Sequence, residues 1–319
     1  MDSTFVVGID VGGQTSKIGV VDARGTVLAQ TVIRTDTYTE VAPYIAELAE
    51  AVKKVIKEAG VEGAVRGIGV GAPNANYYSG TIENAVNLSW GGTKSIPFAK
   101  LLSEAMGGLP VAITNDANAA AVGEMTYGAA RGMKNFIMIT LGTGVGSGIV
   151  INGEVVYGHD GFAGELGHVA AVRNNGRTCN CGKTGCLETY ASATGVARTA
   201  REWLELSDEP SVLRNLDSIA SKDVFDAAKD GDKLALKIFE FTGKILGQSF
   251  ADFVAFSSPE AIVLFGGLAR AKEFLTEPIE NAMNANLLPL WKNKVKLVYS
   301  QLKESDAAIL GASALAWEL

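Results

Sequence analysis

All three cysteines of this chain fall within eight consecutive residues, Cys179-Asn-Cys181-Gly-Lys-Thr-Gly-Cys186, and one of its two histidines, His168, lies eleven positions before the first of them. Three thiolates and one imidazole make the tetrahedral donor set of a structural zinc site, and four protein ligands leave no open position for a catalytic water. Gly182 and Gly185 let the loop curl until three sulfurs face one point. Glu165 and Glu188 flank the cluster. Tethered to metal ligands, both carboxylates would be held at fixed positions, and a carboxylate accepts two hydroxyl hydrogen bonds at set angles, as recognition of a polyol requires.

A chain of 319 residues with 47% apolar content is long enough for two domains. Met1 to Thr4 lead straight into a β-like run, with no secretory n-region. The longest apolar stretch, around residues 135–151, is broken by Gly142, Gly144, Gly146 and Gly148. The expectation is a cytoplasmic protein without a membrane partner, whose clustered thiols stay reduced and available to a metal. Net charge is −7 and the basic residues are scattered, so nucleic acid is not an expected partner. A nucleotide remains compatible, because backbone N–H groups and one cation can hold phosphates on an acidic protein.

Short β-branched runs at 5–10, 17–22 and 26–33 with glycine turns read as an antiparallel meander. Val41, Ile45, Leu48, Val52, Val55 and Ile56 then recur at helical spacing up to Gly60, and a buried strand follows at 67–71. The order restarts at 136–141, with strands at 148–151 and 154–157 about the hairpin signal Asn152-Gly153, so the halves read as a duplicated α/β unit. Further on come a long helix from about 234 to 256, a strand at 261–265 and a final helix from about Asp306.

Asp10-x-Gly12-Gly13-x-Thr15-x-Lys17 at the first strand turn suits nucleotide phosphates: the glycines admit the backbone to the oxygens, and an aspartate at a strand end can hold Mg²⁺ through water. Gly142-Thr143-Gly144 at the equivalent turn of the second half strengthens that reading, and Gly266-Gly267 offers a third close approach, suited to adenosine. None is a Walker loop. Asn115-Asp116 follows the apolar run 110–113, which puts Asp116 at a strand-to-helix junction. There it can either cap the helix or accept a hydroxyl proton during phosphoryl transfer.

Taken together, Glu165-x-x-His168, Cys179-x-Cys181-Gly182-x-x-Gly185-Cys186-x-Glu188 and the two glycine turns resemble the ROK family (repressors, open reading frames and kinases) within the actin-like ATPase superfamily. The resemblance covers nearly the whole chain. It implies an α/β fold of two ribonuclease H-like lobes with an interlobe cleft: 1–115 with 306–319, and 116–305 carrying the zinc loop. It further implies ATP, Mg²⁺ and structural Zn²⁺, with Asp116 as general base and Asn115, Asp116, Glu165, His168 and Glu188 as sugar ligands. The expected reaction is phosphorylation of a hexose at its 6-hydroxyl, glucose first and N-acetylglucosamine or N-acetylmannosamine as the alternative, by a homodimer or homotetramer. A sugar-responsive repressor is the competing class, but such proteins carry a helix-turn-helix module before the first lobe, whereas here Asp10 comes within ten residues of the start. Two positions depart from the family: Gln14 stands where Thr is common, and Asn74 where Gly is common, on a loop expected along the sugar.

Overall fold

The computed structural model describes residues 5–319; the first four residues of the expected N-terminal lobe lie outside them. β1 (Phe5–Val11), β2 (Thr15–Asp22) and β3 (Val27–Arg34) form the antiparallel meander, with Asp10 opposite Lys17 and Ile18 opposite Thr31. α1 (Val41–Glu58) buries Ile45, Leu48, Val52, Val55 and Ile56 on one stripe and ends before Gly60, whose φ of 67° stops the helix. β4 (Val65–Gly71) then runs parallel to β1. After a small antiparallel sheet of β5 (Ala75–Asn76), β6 (Thr81–Glu83) and β7 (Ser95–Ile96), α2 (Phe98–Ala105) leads to β8 (Val111–Thr114), parallel to β4, and α3 (Asp116–Tyr127) follows. The sheet order is β3-β2-β1-β4-β8.

The second half repeats this plan. β9 (Phe136–Leu141) pairs antiparallel with β10 (Val145–Ile151), and β11 (Glu154–Val155) follows the Asn152-Gly153 turn, where φ values of 55° and 85° are those of a type I′ hairpin. The chain goes on through α4 (Glu188–Ala191), α5 (Ala193–Leu206), α6 (Ser221–Lys229) and α7 (Lys233–Ser257), then β12 (Ala261–Phe265), α8 (Lys272–Asn286), β13 (Lys296–Tyr299) and α9 (Glu304–Ala314). β12 is parallel to both β9 and β13. Each half thus sets an antiparallel hairpin beside parallel strands. Two expected strands differ: β10 begins at Val145 rather than Gly148, because Gly146 and Gly148 pair with Thr140 and Met138, and the run at 154–157 shortens to two residues as Tyr157 leaves the strand to stack on another aromatic ring.

Packing groups the chain into two units. One runs to Met133 and includes Glu154–Gly164 and Gln301–Leu319; the other comprises Lys134–Gly153 and Glu165–Ser300. α3, expected after a boundary at 115, therefore belongs to the first unit. The reason is its seat against α9, where a Cβ on Gly123 would lie 2.7 Å from the Gly311 Cα. α9 also lies directly on the first sheet: a Cβ on Gly69 would stand 1.9 Å from the Ala312 carbonyl oxygen. Among the described residues no helix is long and apolar enough to cross a membrane.

Candidate functional site

In the first unit, three parallel strands end at one edge, and each leads into a candidate residue. β1 carries Asp10 near its end, β4 leads through Ala72-Pro73 to Asn74, and β8 leads to Asn115-Asp116. Crevices outside the carboxyl ends of parallel strands are where open α/β sheets bind ligands. Asn115 is the N-cap of α3, its Oδ1 accepting from the Asn118 N–H at 2.7 Å. The capping role thus falls to Asn115 and not to the Asp116 carboxylate. Asp116 reaches solvent, yet the protein crowding it displaces enough water to hold its pKa above the ordinary carboxylate range. Asp10 is pushed up to about 6, first by burial and then by the Asp116 charge, against the opposing pull of Lys17. A divalent cation at Asp10 would offset the Asp116 charge that helps to raise its pKa. At the adjoining turn the Gly12 N–H donates to the Thr15 carbonyl at 3.0 Å, and a Cβ on Gly13 would lie 2.9 Å from the Asn87 carbonyl oxygen.

Asn74 has a φ of 51°, a left-handed conformation that glycine adopts freely and asparagine tolerates. That lets asparagine stand where the resemblance leads one to expect glycine. Its side-chain nitrogen donates to the Asn84 carbonyl at 3.1 Å, so the amide first of all closes its own loop. The same loop pins residues 157–160. Tyr77 stacks on Tyr157 with ring centroids 4.1 Å apart, the Tyr78 hydroxyl donates to the Gly158 carbonyl at 2.9 Å, and the Asn76 amide donates to the Asp160 carbonyl at 2.7 Å. This segment runs on along the chain to Glu165. Sequence reasoning missed these contacts, since partners some eighty positions apart leave no local pattern.

In the second unit, the turns 142–144 and 266–267 follow the ends of the neighbouring parallel strands β9 and β12. A Cβ on Gly142 or on Gly267 would meet nothing within 4 Å, so both backbones border open space that a ligand can enter. Gly144 differs: a Cβ there would strike the Glu188 carboxylate at 2.1 Å, and Glu188 Oε2 accepts from the Val145 N–H at 3.0 Å. Glu188 thus joins the glycine turn to the cysteine loop, where its Oε1 lies 3.8 Å from Cys179 Sγ.

His168, Cys179, Cys181 and Cys186 bring one donor atom each to within 4.8 Å of one another. A tetrahedral zinc with Zn–S bonds of about 2.3 Å requires sulfurs roughly 3.8 Å apart; Cys181 Sγ and Cys186 Sγ are 3.6 Å apart, and Cys179 Sγ is 3.8 Å from His168 Nδ1. The donor set fits the ion. Gly182, at a φ of 87°, makes the tight turn in which its N–H donates to the Cys179 carbonyl, and the Cys179 N–H bonds the Lys183 carbonyl. His168 turns Nδ1 to the thiols while Nε2 lies 4.0 Å from Glu165 Oε2. One ring therefore faces the cysteine donors and the Glu165 carboxylate at once.

The ROK family model matches residues 6–318. The chain is 38% identical to a glucokinase from Halalkalibacterium halodurans over 98% of its own length and 94% of the relative's. Among solved structures it is similar to a ROK hexokinase from Thermus thermophilus (TM-score 0.82, 32% identity, 98% of each chain). It is also similar to a ROK family glucokinase from Streptomyces griseus in complex with glucose and AMPPNP (TM-score 0.77, 30% identity, 99% of this chain and 100% of that one).

Proposed function

Because the chain belongs to the ROK family, we propose that it is an ATP-dependent sugar kinase that phosphorylates glucose at the 6-hydroxyl, with Asp116 as general base. The observation that carries this reading is the capping of α3 by Asn115, which frees a carboxylate of raised pKa at a strand end. A base with elevated pKa holds the hydroxyl proton more firmly as the oxygen attacks the γ-phosphate. The glycine turns 12–13, 142–144 and 266–267 receive the nucleotide, with Thr15, Lys17 and Thr143 beside the phosphates. Asp10 would hold Mg²⁺, which when bound would supply neutralisation of phosphate charge. Asn115, Glu165, His168 and Glu188 hold the sugar hydroxyls, and zinc at His168, Cys179, Cys181 and Cys186 performs no chemistry beyond fixing that loop. Asn74 shapes the sugar-side loop through Asn84 and bears on room beside the hexose.

The test is ADP release with glucose, mannose, N-acetylglucosamine and N-acetylmannosamine offered separately. Glucose is expected to give the highest kcat/KM. A preference for either N-acetylated sugar would replace the substrate assignment, and silence on all four would overturn the kinase reading.

A further inference from the structure

Two residues before the first cysteine, Arg177 is buried with all of its polar hydrogens directed at named partners. Nε donates to Glu202 Oε2 at 3.0 Å, and Nη2 donates to Thr199 Oγ1 at 2.9 Å and pairs with the same glutamate oxygen. Nη1 donates to the Thr189 carbonyl at 2.8 Å and the Gly195 carbonyl at 3.4 Å, and the guanidinium lies 4.5 Å over the Tyr190 ring. Its backbone is equally engaged: the N–H donates to the Tyr190 hydroxyl at 2.8 Å, and the carbonyl accepts from the Gly185 N–H at 2.8 Å. Glu202 is held in turn by Arg198 Nε at 2.7 Å. One residue thereby binds the Cys179 arm of the loop to the Cys186 arm, and both to α4 and α5. None of these bonds involves a metal.

We propose that Arg177 is a positioning residue that preorganises the cysteine loop, so that the four donors already converge before the ion arrives, and that it thereby sets the affinity of the site for zinc. Ion binding that must also order a loop is weakened by the cost of that ordering, and loss of a partner that orients metal ligands typically lowers affinity 10- to 100-fold. Lysine cannot replace the planar fork that serves several acceptors together. The inference rests on the reading of the cluster as a zinc site, not on the kinase activity.

The experiment compares wild type, Arg177→Lys and Glu202→Gln, each stripped of metal and titrated with zinc against a chromophoric chelator, with circular dichroism as the check on folding. Wild type is expected to bind one zinc per chain, Arg177→Lys to bind it about 10- to 100-fold more weakly, and Glu202→Gln to fall between, because the guanidinium keeps its other acceptors. Cobalt(II) should give a thiolate-tetrahedral spectrum in wild type and a weaker one at equal metal in Arg177→Lys. Should Arg177→Lys fail to fold, Glu202→Gln decides alone. Equal zinc affinity in a folded variant would overturn the proposal while leaving the metal site intact; absence of zinc binding by wild type would overturn both.

Discussion

At the scale of single residues, the acidic pair in the first unit makes pH the natural probe. Asp10 titrates near 6 in the folded chain against an ordinary value of 3.8, with burial the chief cause. Between those values the folded protein holds a proton that the unfolded chain has released, so the ionised group opposes folding above pH 6, and that opposition fades as pH falls through 6 toward 4. Two pKa units correspond to up to about 3 kcal/mol. Asp10→Asn is therefore expected to raise the thermal midpoint of ligand-free protein at pH 8 and to lose that advantage near pH 4.5; a constant offset across the range would contradict the assignment. As the proposed general base, Asp116 would have to be ionised for turnover, and the protein crowding it raises its pKa, so the acid limb of the kcat profile should lie above the range of an ordinary carboxylate. The cysteines and His168 were legible in the sequence because their spacing alone defines a donor set, and Glu165 and Glu188 because they flank it. Arg177 was not, because its charge partner Glu202 lies 25 positions away and an isolated arginine carries no pattern.

At the scale of elements, the strands and helices follow from periodicity, but their closest contacts do not. Gly8 and Gly69 sit inside strands that read as ordinary β-branched runs; α9 passes so near that a Cβ at Gly69 would meet the Ala312 carbonyl oxygen at 1.9 Å. Gly69→Ala should destabilise by at least about 2 kcal/mol, seen as a lowered denaturation midpoint, whereas Gly63→Ala, where a Cβ meets nothing within 4 Å, adds only the strain of a residue at positive φ. The segment 154–164 offers a functional counterpart. With Tyr77 stacked on Tyr157, Tyr77→Ala should release the chain that leads to Glu165, and Tyr77→Phe should retain it. The expected outcome is a several-fold rise in glucose KM for Tyr77→Ala with kcat little changed; equal KM values would remove the segment from sugar positioning.

For the whole molecule, the duplicated plan was readable because each half opens with a hairpin of β-branched residues and a glycine turn. The grouping of α3 and of residues 154–164 with the first unit was not, since chain order is a poor guide where the backbone leaves a unit and returns. The cysteine cluster has two supports: the proposed zinc on the His168 side, and on the Glu188 side the Arg177 bonds together with the Val145 N–H. Chelation should consequently weaken glucose binding before it weakens AMPPNP binding, because the glycine turn stays fastened through the bonds from Ala193 N–H to the Gly142 carbonyl and Thr194 Oγ1 to the Thr143 carbonyl. Calorimetry with both ligands checks this; simultaneous loss would contradict it. The most direct measurement remains ADP release by wild type and Asp116→Ala at saturating glucose and Mg-ATP, with glucose affinity measured alongside. A fall in kcat of roughly 10²- to 10⁴-fold with glucose still bound is the result expected of a general base, and near-wild-type turnover by Asp116→Ala would contradict the mechanism.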